Sequence, residues 1–348
     1  MAPLGPNVLS GVGRFAAAWL CLPFVTAAMS GPAHAACQLE QDAEFQVVNG
    51  RGPPVVRGKI DGKDVFFAID TGDSITSLEM AAAERLGLPL VSGPAGLHMY
   101  GVGGEVQVRE TTVDLELGGF KLPGKKMLVI GQSQHGVGVA GLMGWDLLQH
   151  WDVEFDLADH AIRLFKPKDC KGDEVVYWSS AYSKAPLQLG STYAPKVLVD
   201  VLLNGRKVQA TIDSGATVSI VTRAAAGRGG VTPSAKADGK TFGLGPTVIP
   251  VSTAVFDTFS VGGEEIQNAR IKVADMFSKD LVTPTGSNLS RQVEDLPLML
   301  LGADFLRSHR VLIATDQSTL YFTYNGGPVF DLSPPQVAPP PAPQTKDK

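Results

Sequence analysis

The sequence predicts an all-β chain folded as two similar lobes, and three observations support this fold class. Glycine is abundant, at 39 of 348 residues, and 44% of the residues are apolar, which is enough for sizeable cores. Helical periodicity is scarce, whereas short apolar runs alternate with turn residues, a pattern typical of many short strands. One set of motifs also occurs twice in the same order, and the length allows two domains of ordinary size.

The first repeated motif is Asp-Thr/Ser-Gly at the end of an apolar run. It occurs as Asp70-Thr71-Gly72 and again as Asp213-Ser214-Gly215. Each aspartate follows the glycine of a hairpin signal by eight residues, and these signals are Asp61-Gly62 and Asn204-Gly205. A single copy is typical of a turn in which the Asp side chain binds its own backbone. Two copies in matched surroundings favour a shared role instead.

The second repeated motif is a short apolar segment that contains Gly-x-Asp. It covers residues 142–148 (LMGWDLL) and residues 300–306 (LLGADFL), and a strand–turn–strand pattern follows each copy. The second half carries about 15 more residues between its two motifs, and we place this insertion in the polar residues 278–295. Asp146 and Asp304 of these motifs are expected to cap the short helices that follow.

Together, the motifs resemble the retropepsin-like aspartic protease family, in its exported bacterial form with two tandem units. The resemblance covers about residues 40–330. It implies a two-lobed acid-protease fold, arranged as in pepsin-like enzymes, with a β-barrel or sandwich and short helices in each unit. One such helix is expected over residues 79–86, ended by Gly87 and Pro89. In this family each unit supplies one aspartate, so the fusion implies one active site within one chain.

The resemblance implies that Asp70 and Asp213 form the catalytic dyad of an aspartic endopeptidase. Two neighbouring carboxylates share one proton, so one can act as a base toward water while the other polarises the scissile carbonyl. The hydroxyls of Thr71 and Ser214 are expected to hold the two loops together. Four residues in all would support the dyad: Thr71, Gly72, Ser214 and Gly215. Asp73 stands where the family commonly has a small residue. Its side chain is expected to face solvent, and the alternative is that its charge raises the apparent titration of the dyad by repulsion.

Glycine-rich segments between the two motifs of each lobe are candidates for flaps, which would cover a bound peptide. Each segment has an aromatic residue beside its glycines, and the alternative is a pair of ordinary hairpin turns. The flap candidates are Tyr100, Gly101, Gly103 and Gly104 in lobe 1, and Phe242, Gly243 and Gly245 in lobe 2.

The N-terminus has the pattern of a secretory signal peptide over residues 1–35. Arg14 precedes an apolar run over residues 15–28, which is too short to span a bilayer. Ala33-His34-Ala35 fits a cleavage site, so the protein is expected to be periplasmic or secreted after cleavage near Ala35. An uncleaved membrane anchor and a lipoprotein modified at Cys37 are the alternatives.

Cleavage would leave two of the three cysteines, Cys37 and Cys170, at the two ends of the first unit. An oxidising compartment favours a disulfide between them, with two free thiols as the alternative. The chain lacks a Cys-x-x-Cys pair and its six histidines are scattered, so no metal and no cofactor are expected.

The predicted domain order is a signal peptide over 1–35, lobe 1 over 36–170, a linker over 171–190, lobe 2 over 191–330, and a disordered Pro-rich tail over 331–348. The expected partner is a peptide or protein substrate in an extended conformation. A net charge of −5 without a basic stripe argues against nucleic acid. The glycines over 136–141 match a dinucleotide-binding fingerprint, but the helix that should follow is very short and lobe 2 has no equivalent glycines, so no nucleotide is expected.

A monomer is expected, because one chain carries both aspartates. Assembly of active sites between lobes of different chains is an alternative, in which each lobe would pair with a lobe of another molecule. A second function also remains open, namely a non-catalytic peptide-binding or scaffold protein of the periplasm that retains the protease fold.

Overall fold

Twenty-four strands and four short helices make up the part of the chain that the computed structural model describes. The described residues are 37–95, 97, 99–131, 138–191, 194–276, 282–284, 290–292 and 298–330. They belong to one compact unit that begins at Ala36. The predicted signal peptide and Pro-rich tail lie outside the described residues. Within the described ranges, no helix is long and apolar enough to cross a membrane.

Lobe 1 contains a closed barrel of six strands. Strands β2, β3, β10, β4, β9 and β8 are neighbours in that order, and β8 also pairs with β2 to close the barrel. The elements of this half are β1 Gln38–Gln46, β2 Val55–Ile60, β3 Lys63–Ile69, β4 Ser77–Glu79, α1 Met80–Leu86, β5 Val91–Ser92, β6 Met99–Gly101, β7 Gly104–Val106, β8 Val108–Leu117, β9 Phe120–Ile130, β10 Val139–Met143, α2 Trp145–Leu148, β11 Asp152–Asp156 and β12 Ala161–Lys168.

Lobe 2 repeats this barrel. Strands β14, β15, β22, β16, β19 and β18 are neighbours in that order, and β18 closes the barrel on β14. The all-β, two-lobed prediction is therefore confirmed. The elements of this half are β13 Ser183–Ser191, β14 Ala194–Leu203, β15 Arg206–Ile212, β16 Ile220–Val221, α3 Arg223–Arg228, β17 Gly239–Thr241, β18 Ile249–Val261, β19 Glu264–Val273, β20 Val282–Pro284, β21 Ser290–Gln292, β22 Met299–Leu301, α4 Ala303–Ser308, β23 His309–Ala314 and β24 Thr319–Tyr324.

The two hairpin signals form tight turns before the strands that carry the aspartates. Asp61 and Gly62 have φ angles of 49° and 76°, and Asn204 and Gly205 have φ angles of 48° and 72°. Positive φ at both central residues is the requirement of a type I′ turn, which Asn-Gly and Asp-Gly satisfy at low strain. These turns fix the register of β2 against β3 and of β14 against β15, and hence the positions of Asp70 and Asp213.

Six neighbouring strands at one end of a thirteen-stranded sheet join the lobes. They place β1, β12 and β11 of lobe 1 beside β23, β24 and β13 of lobe 2, and β11 pairs with β23 across the boundary. Arg310 of lobe 2 donates to Glu154 of lobe 1 at 3.0 Å, and Arg163 donates to the same carboxylate at 2.6 Å. Glu154 is fully buried, so these two guanidinium groups compensate the charge that the lobe boundary encloses.

The predicted disulfide between Cys37 and Cys170 is confirmed. It ties the start of β1 to the chain just after β12, where the two strands are paired along their length. Cys170 itself is buried, in an apolar cluster that includes Phe165 and Tyr321. The bond therefore fixes the outer edge of the sheet that joins the lobes.

The structure refines two expectations about local structure. The helix predicted over residues 79–86 is Met80–Leu86, because Glu79 ends β4 and is the N-cap residue; Gly87 ends the helix at φ 71° as expected. Strand Ser183–Ser191 falls in the segment predicted as a linker. The predicted insertion over residues 278–295 lies mostly outside the described residues.

Candidate active site

Asp70 and Asp213 each lie one residue beyond the end of a strand, at equivalent positions in the two barrels. Asp70 follows β3 and donates its backbone N–H to the Met143 carbonyl at 3.0 Å. Asp213 follows β15 and donates to the Leu301 carbonyl at 2.9 Å. The accepting strands β10 and β22 run parallel to β3 and β15, so the second repeated motif holds the first in place in both lobes.

The residues after the two aspartates hydrogen-bond to each other across the lobes. The Thr71 N–H donates to the Ser214 hydroxyl, and the Ser214 N–H donates to the Thr71 hydroxyl, both at 3.0 Å. The two hydroxyls then donate to Ile212 and Ile69 carbonyls of the opposite lobe, both at 2.7 Å. Thr71 and Ser214 are almost fully buried. The structure therefore locks the two loops together with four cross-lobe hydrogen bonds that water cannot replace.

The two motif glycines lie directly against the opposite carboxyl group. A Cβ atom on Gly72 would overlap the Asp213 carboxyl, and one on Gly215 would overlap the Asp70 carboxyl. Each position therefore requires a residue without a side chain. This contact brings the aspartates of the two lobes together in one site, as the sequence predicts.

The two carboxyl groups interact directly, and their surroundings favour one shared proton. Burial raises the pKa of Asp213 well above its ordinary value, and the charge of Asp70 and a hydrogen bond to it add to this effect. Backbone donors act in the opposite direction on the pKa of Asp213, whose Oδ1 accepts the Ala216 N–H at 2.9 Å. Asp70 Oδ1 accepts the N–H groups of Gly72 and Asp73 at 2.9 and 3.0 Å. The two carboxyl groups titrate as a pair. The pair keeps one proton at a pH at which two isolated aspartates would have lost both.

Asp73 does not face solvent, and that expectation is wrong. Its Oδ1 accepts the Ile75 N–H at 3.2 Å, and its Oδ2 is buried, because the side chain folds back along its own loop. Its carbonyl accepts the Trp145 N–H at 2.8 Å. The equivalent residue of lobe 2, Ala216, makes this last bond to Ala303 at the same distance.

Asp146 and Asp304 fix the loops that carry the dyad, a role that the prediction of helix capping missed. Asp146 Oδ1 accepts both the N–H and the hydroxyl of Thr76 at 2.7 Å. Asp304 accepts the N–H of Ser219 at 2.9 Å and its hydroxyl at 2.7 Å. Burial raises the pKa of Asp304 to about 7. Thr76 and Ser219 each lie six residues after a dyad aspartate, and this shared spacing could have revealed both anchors.

The flap candidates of both lobes lie in hairpins. Tyr100, Gly101 and Gly104 belong to the β6–β7 hairpin, and Gly103 lies at its turn. Phe242, Gly243 and Gly245 follow β17 in the connection from β17 to its partner β18. The two hairpins touch, because Gly245 and Thr247 donate backbone N–H groups to the carbonyls of Val102 and Gly103, both at 3.0 Å.

A comparison with family models matches both repeats. The model described as aspartyl protease covers residues 56–147 and 199–305, which together exceed half of the chain. The chain belongs to the aspartyl protease family. Each matched region of this aspartyl protease contains one dyad aspartate and one downstream Gly-x-Asp motif, so the predicted tandem repeat is confirmed. No curated protein matches the chain at significant similarity. In the described residues, no group of three or more potential metal ligands occurs.

Proposed function

We propose that this aspartyl protease is an endopeptidase whose dyad is Asp70 and Asp213 of a single chain. The reciprocal bonds between Thr71 and Ser214 carry the proposal, because they hold the two loops so that the carboxyl groups interact. If each Asp-Thr/Ser-Gly motif formed only a turn within its own lobe, no hydrogen bonds between the two motifs would be needed. The arrangement supplies the two functions that amide hydrolysis requires, a base for water and an acid for the carbonyl oxygen.

The pair carries one shared proton, because burial and the neighbouring Asp70 carboxyl raise the pKa of Asp213. The ionised carboxyl takes a proton from a water molecule placed between the carboxyls, and the water oxygen attacks the peptide carbonyl carbon. The protonated carboxyl gives its proton to the carbonyl oxygen, which yields a tetrahedral diol. In the collapse, the carboxyl that took the water proton gives it to the amide nitrogen, the other carboxyl takes a hydroxyl proton of the diol, and the C–N bond breaks.

The substrate is a peptide or an extended protein segment, and the active species is a monomer. The single chain supplies both aspartates and both flap hairpins, which supports a monomer. We also propose that the mature protein acts in the periplasm or outside the cell, after removal of residues 1–35. The disulfide between Cys37 and Cys170 supports an oxidising compartment.

The test is cleavage of a diverse peptide library by the mature chain at a series of pH values. Asp70→Asn and Asp213→Asn should each abolish cleavage while the circular dichroism spectrum and thermal midpoint remain those of a folded protein. Asp64→Asn, at an exposed position on β3, is the matched control and should cleave normally. Cleavage at the wild-type rate by either dyad variant would remove the assignment. A folded wild-type protein that binds peptides and cleaves none would favour the non-catalytic scaffold.

A further inference from the structure

A groove with a volume of about 780 Å³ lies at the boundary between the lobes. Lobe 1 contributes Asp156 and Asp159, from the end of β11 and the turn after it, and lobe 2 contributes Glu264, Arg310 and the end of β24. The segment over residues 178–183, which leads into β13, completes the groove. Among the residues that the structure describes, the lining includes no member of the dyad loops. A ligand in this groove would therefore contact both lobes at a second site.

Three aromatic side chains line the groove and keep part of their surface in contact with solvent. Tyr324 is 54% exposed, and Trp178 and Tyr182 are half-buried. The Trp178 indole N–H donates to the Thr323 hydroxyl at 3.0 Å, and the Tyr182 ring packs edge-on against Tyr321 at 5.7 Å. Rings that are already held in place lose little conformational entropy on binding. Grooves lined by aromatic side chains bind proline-rich segments in the polyproline II conformation.

The charged side chains of the groove add a preference for a cation. Asp156 is already paired, because Arg163 lies 3.1 Å and Arg310 lies 3.3 Å from its Oδ2. Asp159 is exposed, and the Glu264 side chain is 20% exposed, so these two carboxylates are the ones that a ligand can reach. The groove therefore suits a proline-rich segment that also carries lysine or arginine.

Residues 331–348, the proline-rich segment, have this composition. Their sequence, DLSPPQVAPPPAPQTKDK, contains six prolines followed by Lys346 and Lys348. Proline restricts φ to the polyproline II range, so the entropy cost of binding in that conformation is low. The segment is neutral overall, because Asp331 and Asp347 balance the two lysines. We therefore expect contacts between proline and aromatic rings to supply most of the affinity.

The proline-rich segment begins within reach of the groove. Asn325 lines the groove, and Phe330 is buried with its ring centroid 5.0 Å from that of Phe259. Six residues span at most about 21 Å, so Asp331 lies within that distance of Asn325. In the polyproline II conformation the segment itself would extend over about 56 Å. The chain can therefore turn back from Phe330 and follow the groove.

We propose that the proline-rich segment docks in this groove and links lobe 1 to lobe 2. Its prolines pack on Trp178, Tyr182 and Tyr324, and its lysines pair with Asp159 and Glu264. The covalent tether keeps the segment at an effective concentration on the order of millimolar, so a weak contact is enough to fill the groove. Because the groove exists only when both lobes are folded, docking stabilises the lobe boundary. The proposal is independent of the dyad chemistry.

Peptide binding tests the groove in the full chain. A fluorescent peptide with the sequence of residues 331–348 is titrated with the wild type and with a serine variant, in which the six prolines of the segment are all replaced by serine. Fluorescence anisotropy should show at least tenfold tighter binding to the serine variant, because in the wild type the attached segment competes for the groove. Equal affinity for the two proteins, or binding to neither, would overturn the proposal.

Substitution of one aromatic residue locates the bound peptide. Tyr324→Ala in the serine variant should weaken binding at least fivefold, and its circular dichroism spectrum should be unchanged because this side chain is exposed. Phe242→Ala is the matched control, since Phe242 is 58% exposed and lies outside the groove. Mass spectrometry verifies that the peptide stays intact during each titration. Weaker binding in Phe242→Ala, with none in Tyr324→Ala, would place the peptide beside the dyad and overturn the groove assignment.

Size-exclusion chromatography distinguishes docking within one chain from docking between two copies. The wild type should elute as a monomer over a wide range of concentrations, as the serine variant does. A shift toward a dimer at high concentration in the wild type alone would assign the groove to the segment of a second molecule, and would overturn docking within one chain. These measurements need no cleavage, so a wild type that cleaves no peptide would count against the proposed function and leave this test intact.

Discussion

Thr71 and Ser214 donate their backbone N–H groups to each other's hydroxyl oxygens, at 3.0 Å in both directions. Each hydroxyl also donates to a carbonyl of the opposite lobe. Each of the two side chains therefore satisfies one backbone donor and one backbone acceptor of the opposite lobe. The lobes depend on these two hydroxyls both for cohesion and for the position of the dyad.

Thr71→Val keeps the size of the side chain and removes its hydroxyl. We expect a loss of about 2–4 kcal/mol in the free energy of unfolding, because a buried N–H and a buried carbonyl lose their partners. Cleavage should fall as well. Chemical denaturation measures the first effect and peptide hydrolysis the second. Thr71→Ser retains the hydroxyl and should remain close to the wild type; equal stability of the Val variant would contradict the prediction.

Gly72→Ala should inactivate the protein, since its Cβ atom would overlap the Asp213 carboxyl. Gly215→Ala should do the same through Asp70. The matched control is Gly227→Ala, in helix α3, where a Cβ atom meets nothing within 4 Å. That variant should gain about 0.5–1 kcal/mol in the free energy of unfolding, the usual helix preference for Ala over Gly. Full activity in Gly72→Ala would show that the carboxyls do not need this close approach.

The pH dependence of kcat/KM should report the dyad. Because the pKa of Asp213 is raised, the pair keeps its shared proton to a higher pH than an isolated aspartate. Cleavage should therefore persist above the ordinary titration range of carboxyl groups and fall when the pair loses its last proton. A profile that declines near the ordinary pKa of aspartate would contradict the coupling.

Stability should fall as the pH rises from about 4 to about 8. Burial raises the pKa of Asp304 to about 7 and that of Asp152 to about 6, so the folded state holds protons that the unfolded state has released. The stabilisation is complete below the unfolded pKa values and is lost as the pH passes through the folded ones. For Asp304 the loss is on the order of 4 kcal/mol.

Denaturation curves at pH values of about 4 and about 8 measure how the free energy of unfolding changes with pH. Asp304→Asn should make this change smaller. Asp146→Asn makes the same exchange at the equivalent anchor of lobe 1 and serves as the comparison. An unchanged slope in Asp304→Asn would assign the pH dependence to other groups.

Cys37→Ser should lower the free energy of unfolding by about 2–5 kcal/mol, because the disulfide closes a long loop in the unfolded chain. The bond spans 133 residues. Denaturation of the variant, compared with the oxidised wild type, measures the effect, and the wild type in the presence of reductant should match the variant. A variant as stable as oxidised wild type would contradict it.

The repeated motifs predicted the fold and the meeting of Asp70 with Asp213, and the two cysteines left after signal cleavage predicted the disulfide. Residues close together in the sequence were sufficient for the fold prediction, because the turn residues determine where the hairpins form. The same residues also occupy equivalent positions in both halves. The anchors from Thr76 to Asp146 and from Ser219 to Asp304 were missed, because they join residues about 70 or more positions apart. The hydrogen bond from Gly245 to Val102 was missed for the same reason. The folding back of Asp73 toward Ile75 is local, and it was missed because an exposed carboxylate was expected there.

Because the two repeats are fused in one chain, each lobe can acquire substitutions independently of the other. In a symmetric dimer, any substitution appears on both sides of the scissile bond. Here Asp73 in lobe 1 has Ala216 as its counterpart in lobe 2, so a codon change alters one lobe alone. Selection can therefore shape recognition of the amino-terminal half of a cleaved peptide separately from recognition of its carboxyl-terminal half.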